Sequence, residues 1–133
     1  MRTLLIACLL ALGLAAPATA QNTDIEATIN SQMEAFKADD VDRAFTFASP
    51  TIRDLFQTPE NFGAMVRNGY PMVWRPSDVQ YLELREIDGA LWQTVQVTDA
   101  QGRVHYLGYQ MIQTENGWKI NAVKRIDAPD ASA

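Results

Sequence analysis

The sequence predicts an α+β domain, with N-terminal helices packed on a curved antiparallel sheet of about four strands. Three observations carry this expectation. Apolar residues as far as Val66 recur at helical spacing, and each run opens on a capping residue. From Val79 onward apolar and polar residues alternate, punctuated by Asp88-Gly89, Asp99 to Gly102 and Glu115-Asn116-Gly117. Helices that come first and hairpins that follow belong to an α+β layout, not to the alternation that builds a parallel sheet.

The chain opens on what reads as a secretory leader, residues 1–20. Arg2 gives the positive start, Leu4 to Ala16 the apolar stretch, and Pro17 the break. Ala18-Thr19-Ala20 is then the small-x-small site of a signal peptidase, so cleavage is expected between Ala20 and Gln21. The apolar stretch is shorter than the roughly 20 residues a bilayer crossing takes, so no stable membrane insertion is expected after cleavage. Leu5-Ile6-Ala7-Cys8 loosely resembles a lipoprotein acylation site, but acylation there would leave Ala18-Thr19-Ala20 unused. A periplasmic or secreted location follows from ordinary cleavage. Cys8 is the only cysteine of the chain. Its loss would leave no disulfide, thiolate metal site or cysteine nucleophile.

The remainder reads as one domain over residues 21–126 and a polar, patternless tail over 127–133. The full chain carries a net charge of −5, and its only basic cluster past the leader is Lys124-Arg125. Such a chain is a poor ligand for nucleic acid or anionic lipid. Partners are therefore expected among small molecules or proteins, a second copy of the chain included.

Thr23-Asp24-Ile25-Glu26 fits a capping box, and Ile25, Ile29, Met33 and Phe36 form the buried stripe of a first helix ending near Ala38. Asp39-Asp40 caps a short second helix carrying Val41, Ala44, Phe45 and Ala48. Ser49-Pro50 and Thr58-Pro59 each place a cap before a proline at the first helical position. The third helix then presents Ile52, Leu55 and Phe56, and the fourth Phe62, Met65 and Val66. Asn68-Gly69 is expected as a left-handed cap. Pro71 and Pro76 bracket Met72-Val73-Trp74, which suits a short edge strand. Four strands of a meander follow: Val79 to Ile87, Leu91 to Thr98, Arg103 to Gln113 and Trp118 to Ile126. Asp88-Gly89 is the strongest hairpin signal among them. A sheet wrapped on one helix makes a cone, and a cone encloses a pocket.

The candidate site residues are the aromatic groups of the strand half and the single histidine. Tyr70, Trp74, Trp92, His105 and Tyr109 are the ligand-binding candidates, with Tyr106, Trp118, Met72 and Met111 nearby in sequence. Aromatic walls with a few polar tips suit a small-molecule pocket, although aromatics in a small sheet also serve simply as core. Trp118 is expected to be core. His105 is the only imidazole, so an acid–base scheme would use it as base and Tyr109, two same-face steps along the strand, as donor. The plainer reading is a part-exposed histidine on a sheet surface. Asp39-Asp40-x-Asp42 lacks the glycine and closing glutamate of a calcium loop and is better used in capping. No metal site is expected, and no phosphate, dinucleotide or nucleophile motif calls for a cofactor. Asp54 and Glu83 are the carboxylates that could turn inward.

Two stretches carry a resemblance. Ala35 through Phe45 and Asn116-Gly117-Trp118-Lys119-Ile120 are similar to the first helix exit and the last-strand entrance of nuclear-transport-factor-2-like and SnoaL-like proteins. Ala44-Phe45-Thr46-Phe47-Ala48-Ser49-Pro50, the Phe62, Met65 and Val66 spacing, and Gly69-Tyr70-Pro71 resemble a bacterial family known only as a domain of unknown function, DUF4864. The first resemblance implies a cone-shaped fold whose enzymatic members use a carboxylate or a His–Asp pair inside the cone. The second implies no assigned chemistry. Two functions are therefore weighed. One is a non-enzymatic small-molecule-binding or protein-interaction module. The other is a small isomerase, dehydratase or hydrolase with His105 as general base.

Overall fold

The computed structural model describes residues 18–129, and the expected leader up to residue 17 and residues 130–133 lie outside that range. Five helices precede four strands: α1 (Ala18–Lys37), α2 (Val41–Thr46), α3 (Pro50–Phe56), α4 (Pro59–Gly69), α5 (Pro71–Trp74), β1 (Asp78–Ile87), β2 (Ala90–Thr98), β3 (Val104–Thr114) and β4 (Gly117–Ile126). The strands pair in sequence order, β1-β2-β3-β4, all antiparallel. This is the expected α+β meander.

The long helix buries the expected stripe. Ile25 and Ile29 are fully buried, as are Met33 and Phe36 to within a few per cent. Its start differs from expectation, because Thr23 lies inside the helix and does not cap it. Ala18 to Asn22 offer no glycine or proline to stop the helix running back past the threonine. Three of the short helices begin where their caps predicted. Asp40 accepts from Arg43 N–H, Ser49 from Ile52 N–H and Thr58 from Asn61 N–H.

Two details correct the expectation around residue 70. Gly69 is helical and is not a left-handed cap; the helix ends at Tyr70, with φ −137° and ψ 56°. Pro71 forbids helical geometry to the residue before it, so the proline sets the boundary that the glycine was expected to set. Met72-Val73-Trp74 forms the last turn of helix and not an edge strand, with all three side chains buried. Pro71 sits at the first helical position, where its missing N–H costs nothing.

Asp88 and Gly89 both take positive φ, 53° and 79°, as the tight hairpin between β1 and β2 requires. One face of the sheet is core: Val95, Val97, Leu107, Tyr109, Met111 and Ile120 are buried against the helices. The opposite face carries Trp92, Thr94, Lys124 and Ile126, and Lys124 Nζ lies 4.5 Å over the Trp92 ring. Gly108 makes that arrangement possible, since a Cβ there would sit 3.3 Å from Trp92 Cε3.

The register slips between Tyr81 and Leu84 in β1. Gln93, almost completely buried, turns its amide to the carbonyls of Leu82 and Glu83 at this bulge and to that of Thr94. At the far edge, β4 is covered by the chain leaving α2. Ser49 N–H donates to the Ile120 carbonyl at 2.8 Å and Ile120 N–H to the Phe47 carbonyl at 2.9 Å. Covering an edge in this way removes a template for unwanted strand pairing.

Candidate functional site

An apolar cavity of about 270 Å³ opens between α1, α3, α4 and the β3–β4 end of the core face. Phe36, Phe62 and Val66 form its helical wall, Tyr109, Ile120 and Val123 its floor, and Ile52, Leu55 and Phe56 of α3 its rim. Leu55 is 68% exposed, an unusual state for leucine that marks the mouth. The aromatic wall is fixed by stacking: Phe36 lies 4.9 Å from Trp74 and 6.0 Å from Phe62, ring centre to ring centre. Phe62 is further held by Phe45 and Phe56 at 5.4 and 5.8 Å.

Three polar side chains reach this lining: Gln32, Tyr70 and Tyr109. Gln32 Nε2 donates to the Ala44 carbonyl at 3.2 Å, which fastens α1 to α2 and leaves the amide oxygen as an acceptor. The Tyr70 hydroxyl donates to the Val123 carbonyl at 3.1 Å, and Arg125 lies over its ring. Tyr109 is buried to 1%. Burial drives its hydroxyl far above the ordinary tyrosine range, and the nearby Tyr81 and Tyr70 push the same way. Tyr81, beyond the lining, is raised to about 12, mainly by burial and then by Glu26. The Tyr109 and Tyr81 phenols therefore stay neutral near pH 7, and the Tyr81 hydroxyl is buried with no hydrogen-bond partner among the described residues. The lining contains no carboxylate, lysine, arginine or histidine.

The five ligand-binding candidates separate into four places. Tyr70 and Tyr109 line the cavity. Trp74 backs the wall through Phe36 without lining it, and its indole N–H donates to Asp39 at 3.2 Å. Trp92 sits on the opposite face of the sheet. His105 stands at the β2–β3 turn, where Nε2 lies 2.9 Å from Asp99 Oδ2.

His105 and Tyr109 are four residues apart on one strand, about 13 Å by strand rise. Of the acid–base pair weighed from the sequence, Tyr109 lines the cavity and His105 does not. Asp99 is fully engaged at its turn: besides His105 it accepts from the Gln101 and Arg103 amides and from Arg103 Nε. The His105 contact, then these donors, hold its carboxyl well below the usual range despite its burial. The constellation is a turn clasp.

The other acidic candidates are structural or solvated. Asp54 is exposed, and Glu83 pairs with Arg85 at 3.5 Å on the surface. Asp40 caps α2, while Asp39, at φ 58°, accepts from Trp74 and from Arg75 Nη2 at 3.0 Å. Trp118 is half-buried at the margin of the core and not within it.

Sequence reasoning missed Gln32 as a wall residue. The signal was present: Gln32 falls three residues after Ile29 and seven after Ile25, a polar residue on the buried stripe of α1.

Helices closing one end of an open antiparallel sheet, with an apolar cavity between the two layers, define a small α+β cavity domain. Its order of elements is consistent with a nuclear-transport-factor-2-like layout. The chain belongs to the family described as a domain of unknown function (DUF4864), whose profile matches residues 18–133. No curated protein and no solved structure matches it.

Proposed function

We propose that the chain binds a small, mostly apolar molecule bearing one hydrogen-bonding group, as a non-enzymatic accessory protein outside the cytoplasm. The carrying observation is the cavity lining, which is apolar but for neutral polar tips. Such a wall recognises shape and one hydroxyl, carbonyl or amide. It offers no group that could exchange a proton near neutral pH, so the catalytic alternative has no support from the lining. The leader-like residues 1–20 support the extracytoplasmic placement.

The size of the ligand follows from the volume. A cavity of about 150 Å³ accepts benzene, so 270 Å³ suits a molecule of about ten non-hydrogen atoms. At about 0.5–0.8 kcal/mol per atom, binding releases about 5–8 kcal/mol. That corresponds to a Kd between about 200 and 1 µM.

1-Naphthol has this size, a flat apolar body and one hydroxyl. Titration calorimetry is expected to show saturable one-site binding in that range. Met65→Trp, which fills the cavity from α4, is expected to abolish it while leaving the circular dichroism spectrum unchanged. Absence of saturable binding of 1-naphthol, indole and n-octanol up to about 1 mM, a Kd that corresponds to only about 4 kcal/mol, refutes the reading.

A further inference from the structure

Three features of α3 raise the energy of the position it occupies. The first is at its C-terminal end. Gln57 holds φ 71° and ψ −41°, and Thr58 N–H donates to the Phe56 carbonyl at 2.8 Å. This three-residue turn of positive φ is rare and strained for any residue with a side chain. The second is Arg53, whose Nε is buried with no hydrogen-bond partner. An orphaned donor of this kind is costly. The third is electrostatic. Lys119 loses basicity through burial and through the neighbouring Arg53 guanidinium, a like charge. Among the described residues neither cation stands within ion-pair distance of a carboxylate.

Little opposes that accumulated cost. No residue of α3 is buried. Of its apolar side chains, Ile52 and Phe56 are only partly buried against the core, Phe56 edge-on to Phe62, and Leu55 is mostly in solvent. Both ends, by contrast, are pinned. Ser49 bonds to Ile120 through its amide and to Asn121 through its hydroxyl at 2.7 Å. Asn61 Nδ2 donates to the Phe56 carbonyl at 3.0 Å, just before the strained turn. Strain concentrated beside a site, in an element that is weakly packed but held at both ends, is how a two-position element is built.

We infer that α3 is the lid of the cavity, a seven-residue helix whose turns open outward between its pinned ends at Ser49 and Gln57 to admit the ligand, breaking the bonds of its own amides as they do so. The inference rests on the cavity reading proposed above, but its test does not need a ligand. Hydrogen exchange of the full chain, followed by nuclear magnetic resonance, reads the lid directly. The Arg53 amide, bonded to Ser49, and the Gln57 amide, bonded to Arg53, report α3; the Tyr70 amide, bonded to Val66, reports α4.

Gln57→Gly takes positive φ without strain and stabilises the closed position. It is expected to slow exchange at least fivefold at the Arg53 amide and at the amide of the substituted residue itself, while leaving Tyr70 unchanged. Arg53→Met, which removes the orphan donor and the like charge, is expected to slow the Gln57 amide in the same sense. Exchange that is unchanged in both variants, or slowed equally at α3 and α4, overturns the lid.

Stopped-flow association of 1-naphthol separates the two claims. With both correct, Gln57→Gly lowers the association rate in the proportion by which it slows exchange. Selective slowing of exchange without 1-naphthol binding upholds the lid and removes the ligand reading. Binding with neither exchange nor association altered by Gln57→Gly upholds the ligand reading and removes the lid.

Discussion

Phe36→Ala removes the ring on which the cavity wall is built. Phe36 is fully buried and stacks on both Trp74 and Phe62. Truncating a buried phenylalanine costs about 3–5 kcal/mol, the spread reflecting how far neighbours collapse into the space. Collapse is limited here. Trp74 is tied to Asp39 through its indole N–H, and the new space joins a cavity that already exists. Each lost ring pair adds about 0.5–1.5 kcal/mol to the area lost. The expected loss is therefore at the upper end, about 4–5 kcal/mol. A domain of roughly 110 residues has about 6–17 kcal/mol in all, so the variant still folds, with between about a quarter and four fifths of its margin gone. At about 4 °C per kcal/mol the melting temperature falls by about 15–20 °C. Urea unfolding followed by circular dichroism measures the loss, with the slope m unchanged. Benzene is expected to return part of the stability by occupying the enlarged space. A loss below about 2 kcal/mol at unchanged m refutes the argument, because it means that Phe36 does not hold the wall open.

Three further outcomes test other parts of the fold. Asp99→Asn is expected to destabilise at pH 7. A carboxyl whose folded pKa is depressed contributes stability above its unfolded value near 3.8 and loses it as the pH falls through the folded value, which lies well below, so the urea midpoints of parent and variant begin to converge only below about pH 4 and are still apart at pH 3. Ser49→Ala removes the α3 cap and leaves the Asn121 Oδ1 acceptor unpaired, an expected cost of about 2–3 kcal/mol by urea unfolding. Gly63→Ala places a Cβ 2.7 Å from Val41 Cγ1, a stiff β-branched neighbour. The overpacking of about 1–3 kcal/mol outweighs a helix gain of about 1 kcal/mol. In a Val41→Ala background the sign is expected to reverse, and thermal melts of the two pairs give the comparison.

Most of the fold was legible because its signals are local. Ser49-Pro50 and Thr58-Pro59 set helix starts through bonds spanning three residues, and Asp88-Gly89 sets a hairpin through its own dihedrals. The errors came where two local rules compete. At Gly69-Tyr70-Pro71 a glycine cap and a proline break predict different ends, and the proline's steric exclusion is the harder constraint. At Met72-Val73-Trp74 the flanking prolines read equally well as a strand at an edge or as one helical turn, and burial of all three side chains against α1 and α4 decided it. The cavity was less legible. Tyr70 and Tyr109 were among the candidates, yet His105 and Trp92 were grouped with them, because alternation names two faces without saying which one is covered. The sequence marked Gln32 as a polar break in the buried stripe of α1 and Ile52 and Leu55 as the apolar face of α3, but that these faces meet around one cavity is set by tertiary packing.

The closure of β4 by the segment Phe47–Ser49 also sets an order in time. The three hairpins join neighbours in sequence and can form within microseconds. The Ser49–Asn121 hydrogen bond joins residues 72 apart, across the whole sheet-forming half of the chain. Loops of that length close late, after the local pairs are in place. The seam beside the cavity is thus expected to close after the hairpins, as α3 docks against β4.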